Sequence, residues 1–272
     1  MRLTLDDLNP FHFARRVKRR LQRMAMRPLF EEHRRALQQL RDRHRGGRCF
    51  ILGNGPSLNR TDLGPLKNEI TFGTNAIFLH YAEMGFEPTY YGVCDPLAED
   101  RADEINALSG STRFFPQDLV YCLKPAPDVV YLPFHYTNPE PVPRFSTDAS
   151  KVVYLGATVT FMCLQLAYHL GCNPVYLIGM DHSYTRRHDA KGVMSDSADP
   201  DHFSPGYLAK GKPFNPYRCE RVEQLFQLAR EAFEADGRQI INATVGGKLE
   251  VFPRADYNEI VSTLHEKGRD SD

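Results

Sequence analysis

Cys49-Phe50-Ile51-Leu52-Gly53-Asn54-Gly55-Pro56-Ser57-Leu58 reads as a buried strand running straight into a Gly-Asn-Gly-Pro-Ser turn. Pro56 followed by Ser57 suits the start of a helix. Strand, tight turn and helix form the opening unit of an α/β sheet, whose ligands gather outside the carboxyl ends of the strands. The two glycines let a ligand approach the backbone, and N–H groups beyond them favour an anion. The expectation is a phosphate or nucleotide site at Gly53, Asn54, Gly55 and Ser57. The competing reading is an ordinary strand-to-helix turn. Leu58 stands where a dinucleotide fingerprint needs its third glycine, and no Gly-Lys-Ser/Thr follows. Neither a complete Gly-x-Gly-x-x-Gly motif nor a P-loop is therefore present.

Working outward, strand and helix patterns alternate. Strands are expected over 49–53, 69–74, 89–94, 129–133, 152–155, 174–178 and 239–241. Helices are expected over 61–66, 76–84, 96–108, 158–170, 218–235 and 257–267. Val-, Ile- and Tyr-rich strands separated by helices imply an α/β fold, with a doubly wound, mostly parallel, Rossmann-like sheet. Residues 183–216 show little periodicity and many Gly, Pro, Asp and Ser. A loop of that length in a compact domain is usually functional, often a lid.

Composition narrows the class further. The chain has 272 residues, 42% hydrophobic and 25% charged, as in an ordinary globular protein. Net charge is zero, but residues 1–48 hold 14 Lys/Arg against 5 Asp/Glu, leaving 20 against 29 in the rest. Six scattered cysteines without a Cys-x-x-Cys pair suggest reduced thiols in a cytoplasmic protein, not a disulfide frame or a zinc site. No secretory signal and no membrane-spanning apolar run is evident.

The basic segment is read as a helical extension, residues 1–46, attached to a catalytic domain, residues 47–268. Over 11–27 Phe13, Val17, Leu21 and Met24 share one stripe, and arginines and a lysine cover the rest. Pro28 interrupts, and a second helix runs from Phe30 to Arg45. Such a segment is suited to an anionic membrane surface through residues 11–45, at the inner face of the membrane. Packing of the stripe on the body, or contact with a second copy, fits equally. Nucleic acid is not expected, since no aromatic residues are interleaved for base stacking. The strand pattern begins only at Cys49, so deletion of 1–45 is expected to leave the body folded.

The strand ends supply the remaining candidates: Asn75 in Gly73-Thr74-Asn75, Asp95 before Pro96, Gly156 and Thr158 at a helix start, and Asp181, His182 and Tyr184 after the strand at 175–178. Asn54, Asn75, Asp95, Thr158 and Asp181 are expected around one cleft. Gly156 and Thr158 offer N–H groups and a hydroxyl to a phosphate, or a simple cap. Asp181 is suited to bind a ribose hydroxyl, to orient His182, to act as a base, or merely to cap a turn. His202, in the Asp201-His202-Phe203-Ser204-Pro205-Gly206-Tyr207 stretch of the lid, has the chemistry of a general base near neutral pH. His182 and His188 are its rivals. Lys210, Lys212 and Arg218 could neutralise phosphates or be solvated, and Asp199-Pro200-Asp201 is a weak echo of a metal-binding Asp-x-Asp.

Gly53-Asn54-Gly55-Pro56-Ser57-Leu58, Gly73-Thr74-Asn75, the Tyr90–Pro96 strand end, Tyr176–Asp181 and Asn242–Pro253 together resemble the MptE-like domain family over roughly residues 45–262. That family includes archaeal 6-hydroxymethylpterin diphosphokinases and bacterial motility accessory factors. The strand ends alone are also similar to family 42 sialyltransferases, which use a CMP-sugar without metal. The second resemblance implies nucleotide and phosphate contacts at Asn54, Ser57 and Asn75, a strand-three Asn-Pro replaced here by Asp95-Pro96, lid tyrosines matched by Tyr184 and Tyr207, and a base matched by His202. The combined expectation is a glycosyltransferase acting on a nucleotide-sugar donor and a glycan or protein acceptor, with no tightly bound cofactor and no metal. The alternative is pyrophosphate transfer from ATP, with Mg²⁺ held by carboxylates such as Asp95 and Asp181. A non-catalytic nucleotide-binding module is the third reading.

Overall fold

The computed structural model describes residues 10–94, 97–135, 143–183, 201–204, 206–207 and 219–269. The strands are β1 (Cys49–Leu52), β2 (Ile70–Thr74), β3 (Tyr90–Gly92), β4 (Thr112–Pro116), β5 (Val129–Leu132), β6 (Phe134–His135), β7 (Val153–Tyr154), β8 (Val175–Ile178) and β9 (Ile240–Asn242). The helices are α1 (Pro10–Ala25), α2 (Arg27–Leu40), α3 (Tyr81–Met84), α4 (Leu97–Asp100), α5 (Ala102–Ala107), α6 (Val159–His169), α7 (Cys219–Ala235) and α8 (Tyr257–Arg269).

Seven strands form one sheet in the order β5-β4-β3-β2-β1-β8-β9, and every neighbouring pair is parallel. The chain moves from β1 outward to β5, then returns to lay β8 on the other side of β1. The crevice between the carboxyl ends of β1 and β8 is thus the switch point, where open α/β sheets bind ligands. Side chains alternate across the sheet. Cys49 and Ile51 enter one apolar cluster with α6 and α7, and Phe50 and Leu52 enter the other with α8. Both faces are covered, so β1 is buried throughout, as a central parallel strand should be.

One strand expectation needs correction, and one strand was not expected. The segment around 152–155 is not a strand of the main sheet: β7 pairs only with β6, in a separate two-stranded sheet. The physical reason is Gln165 of α6. Its amide accepts from Tyr154 N–H at 3.0 Å and donates to Tyr154 C=O at 2.9 Å, which satisfies the edge that a further strand would need. In contrast, β4 is a full strand of the main sheet that the pattern conceals, because it contains Arg113 and ends at Pro116. Arg113 is only 2% exposed. It forms a bidentate pair with Asp128 at 2.7 and 2.8 Å and donates to Ile105 C=O at 2.8 Å, so its charge is compensated in place.

The helix expected after β1 is only a five-residue 3-10 turn, Pro56–Arg60. The expected helix over 96–108 is two, α4 and α5, broken at Arg101.

Helix α2 belongs to the packed body and is not an appendage. Phe30 and Leu37 are buried, and Leu37 C=O is 2.8 Å from His169 Nε2 in α6. Tyr131 N–H in β5 donates to His33 Nδ1 at 2.9 Å. Arg41 pairs with Asp148 at 2.9 Å. Burial alone would raise the Asp148 carboxyl, but hydrogen bonds from Ser150 and Lys151, with Arg41 beside it, outweigh burial and hold it down at about 2. Deletion of residues 1–45, expected from the sequence to leave the body folded, would therefore remove part of the packed core.

Four of the six cysteines are buried and all six are free thiols. Burial pushes the Cys163 thiol up to about 12. Among the described residues no helix is long and apolar enough to cross a membrane.

Candidate functional site at the switch point

The β1 turn is built differently from the anion cradle that its sequence suggests. Gly53 N–H donates to Ile178 C=O at 2.8 Å, and Gly55 N–H donates to Gly179 C=O at 3.0 Å. The pairing of β1 with β8 thus continues past both strand ends. Ser57 N–H and Ser57 hydroxyl both donate to the Asp181 carboxylate, at 3.2 and 2.6 Å. Ser57 is wholly buried and Asp181 is 8% exposed. The N–H groups of Gly53, Gly55 and Ser57 are thus engaged by protein acceptors. Of the roles open to Asp181, the contacts in this structure are those of the turn cap. Asp181 fastens the turn.

The glycines serve the same close approach. A Cβ on Gly55 would lie 1.9 Å from Asp181 Oδ2 and 2.8 Å from Gly179 C=O, and one on Gly53 would lie 2.4 Å from Gly179 C=O. Gly55→Ala should therefore cost about 1–3 kcal/mol, the usual range for overpacking. In an Asp181→Ala background the same change should cost distinctly less, because its main obstacle is gone. Chemical denaturation of the four proteins of this cycle checks both statements. Equal costs in the two backgrounds would contradict the contact.

Asp181 is held from behind by the loop after β9. Lys248 N–H donates to Asp181 C=O at 2.8 Å, and Gly247, at φ +78, lies against the Asp181 backbone. Thr244 Oγ1 accepts from Met180 N–H at 3.0 Å. The Asn242–Pro253 stretch thus buttresses the β8 turn, a role that its sequence did not announce.

Asn54 follows β1 and Asn75 follows the neighbouring β2, both at the carboxyl edge of the sheet. Asn54 Nδ2 donates to Thr74 Oγ1, which in turn donates to Leu52 C=O, each at 2.8 Å. Asn54 Oδ1 is buried and has no hydrogen-bond partner among the described residues. Such an orphaned acceptor costs about 1–3 kcal/mol, which a donor group on a ligand would relieve. Asn75 adopts φ +49, a left-handed conformation that asparagine tolerates. Its Nδ2 donates to the Tyr207 hydroxyl at 3.0 Å.

The segment 201–207 is seated on this edge. Phe203 N–H donates to Asn54 C=O at 2.9 Å, and Asn59 Nδ2 donates to Phe203 C=O at 2.8 Å. Arg101 donates to the carbonyls of Gly206 and Tyr207. Phe203 packs on His80 with ring centroids 4.9 Å apart. Burial lowers the His80 imidazole below its ordinary value, and Glu83 partly opposes this. His202 stacks face to face on Tyr207, with centroids 3.7 Å apart and planes 10° from parallel. Asn54, Asn75, Asp181 and His202 are thereby gathered at one sheet edge.

His182, also at positive φ (+51), is directed to α7, where its Nε2 lies 2.8 Å from Glu223 Oε1. Thr158 caps α6 by accepting from Thr160 N–H at 3.3 Å. It reaches the crevice only indirectly, through Thr160 against Met180 Sδ at 3.5 Å. Gly156 abuts the Phe161 ring. Asp95, Tyr184, His188, Asp199, Lys210, Lys212 and Arg218 lie outside the described residues. Sequence reasoning missed Asn59 and Arg101, which act through partners distant in the chain and which no local motif marks. Thr74 stood in the Gly73-Thr74-Asn75 strand end, but its bridge from Asn54 to Leu52 C=O did not.

No curated protein matches the chain. Among solved structures, one similar to it is a Maf glycosyltransferase from Magnetospirillum magneticum AMB-1, at 15% identity and a TM-score of 0.47, over 89% of this chain and 42% of that one. The chain thus spans less than half the length of that protein. A family model described as 6-hydroxymethylpterin diphosphokinase MptE-like matches residues 25–187, a span that takes in α2, the β1 turn and Asp181 and covers more than half of the sequence, and the chain belongs to this MptE-like family.

Proposed function

We propose that this protein is a transferase that moves a glycosyl group from a nucleotide-sugar donor of the CMP-sugar type to a hydroxyl of a glycan or protein acceptor. The observation that carries the reading is the placement of His202. It is stacked on Tyr207, which is tied to Asn75, inside a segment pinned to Asn54 at the switch point. In the proposed reaction His202 accepts the acceptor's hydroxyl proton. The acceptor oxygen forms a bond to the anomeric carbon as the bond from that carbon to the phosphate oxygen breaks. The nucleotide leaves with the electron pair. Asn54 Oδ1 would accept a hydrogen bond from a ribose hydroxyl or base amine, and Asn75 would complete that wall. Asp181 positions the turn without touching substrate.

The family description favours a second reading, pyrophosphate transfer from ATP to a hydroxymethylpterin. That chemistry also needs a hydroxyl nucleophile, but it requires Mg²⁺ held by carboxylates. Asp181 is a poor candidate for that role, since both of its oxygens face Ser57.

Thermal-shift measurements with CMP, UDP, GDP and ATP, each with and without Mg²⁺, separate the two. A CMP-type nucleotide should stabilise the fold without Mg²⁺, by about 2.7 kcal/mol at a hundredfold excess over Kd. Stabilisation by Mg-ATP alone, with AMP released from a hydroxymethylpterin mixture, would replace the first reading by the second.

A further inference from the structure

Helix α1 meets the body through its polar side. The Arg19 guanidinium lies 3.5 Å over the Tyr121 ring and 3.2 Å from Glu99. Gln22 Nε2 donates to Val120 C=O at 3.2 Å, and Arg23 pairs with Asp118. Met26, just beyond the helix, packs against the core. Of the two directions that the sequence leaves open to the apolar stripe, the structure takes the one away from the body. Val17, Leu21 and Met24 are 39%, 60% and 49% exposed, and they are the exposed large hydrophobic residues of the described chain.

At about 100° per residue, Val17, Leu21 and Met24 share one narrow arc, opposite the docked Arg19, Gln22, Arg23 and Met26. Lys18 and Arg20 border that arc on its two sides, and Arg27, the first residue of α2, follows on the Arg20 side. All three are exposed, and none is in an ion pair among the described residues.

We propose that this face of α1 binds an anionic lipid bilayer surface, with the three apolar side chains entering the boundary below the headgroups and Lys18, Arg20 and Arg27 meeting the phosphates. Charge decides between lipid and a second copy. An isologous contact sets identical patches against each other. The helix Pro10–Ala25 contains no acidic residue, so a copy would oppose cation to cation, whereas anionic headgroups neutralise the border. The inference is independent of the proposed glycosyl transfer and concerns a different surface.

The test is co-sedimentation of the full chain with vesicles of phosphatidylcholine alone and of equimolar phosphatidylcholine and phosphatidylglycerol. Binding is expected only to the mixed vesicles and should weaken as salt rises. Leu21→Glu/Met24→Glu and Lys18→Glu/Arg20→Glu should each lower the partition coefficient by about tenfold or more. Both alter exposed positions, and unchanged thermal melts should show that they fold. Failure of the wild type to bind mixed vesicles, or equal binding by Leu21→Glu/Met24→Glu, overturns the proposal. So does a wild-type dimer by light scattering that Leu21→Glu/Met24→Glu converts to monomer, since the stripe is then a self-association surface.

Discussion

His202→Ala is expected to lower turnover by about 10²–10⁴-fold, the usual contribution of a positioned general base, with donor affinity nearly unchanged. The separation of the two effects follows from the geometry. In the proposed reaction Asn54 and Asn75 bind the donor, whereas His202 is joined to Asn75 only through its stack on Tyr207. Loss of the imidazole leaves the Phe203 N–H bond to Asn54 C=O in place, so the segment should stay seated. Tyr207→Phe gives a graded control: it keeps the stacking surface but removes the hydroxyl bonded to Asn75, and it should lower turnover less than His202→Ala. Titration calorimetry with donor and initial-rate kinetics would measure the two quantities. His182 is the rival base, although its ring is turned to Glu223 on α7. Normal turnover in His202→Ala together with collapse in His182→Ala would transfer the assignment.

Removal of residues 1–45 should destabilise the protein severely. Phe30 and Leu37 are both buried, and each contributes about 1.5–3 kcal/mol by burial. Against a total of about 5–15 kcal/mol for a domain, losing both is a large fraction. The truncation also strips the Leu37 carbonyl from His169 and Arg41 from Asp148. A fall in Tm of roughly 10–20 °C is expected, or insoluble expression. Removal of 1–25 alone should cost far less, because Arg19 and Arg23 make exposed ion pairs, which contribute little, and Gln22 adds a single part-buried hydrogen bond. Scanning calorimetry of the two truncations checks the contrast. An unchanged Tm on removal of 1–45 would restore the appendage reading.

The amino-acid sequence by itself determined the parallel α/β sheet, because a continuous apolar run such as Cys49–Leu52 is compatible with burial on both faces and little else. It placed Asn54, Asn75, Asp181 and His202 near strand ends or in the long loop, since those positions follow from local pattern and from the resemblance carried by short motifs. It lost β4, where buried Arg113 is paired with Asp128, 15 positions away, and bonded to Ile105 C=O. It promoted β7 into the sheet, because nothing local shows that Gln165 closes that strand's edge. It read the glycines of the β1 turn as room for a ligand, and tertiary structure filled that room with Asp181, a residue 124 positions away from Ser57. It found the apolar stripe of α1 but not its direction, for an amphipathic pattern defines two faces and leaves open which one meets the body. That choice fell to Tyr121, Glu99 and Asp118, whose contacts with Arg19 and Arg23 exist only once the sheet has brought them together.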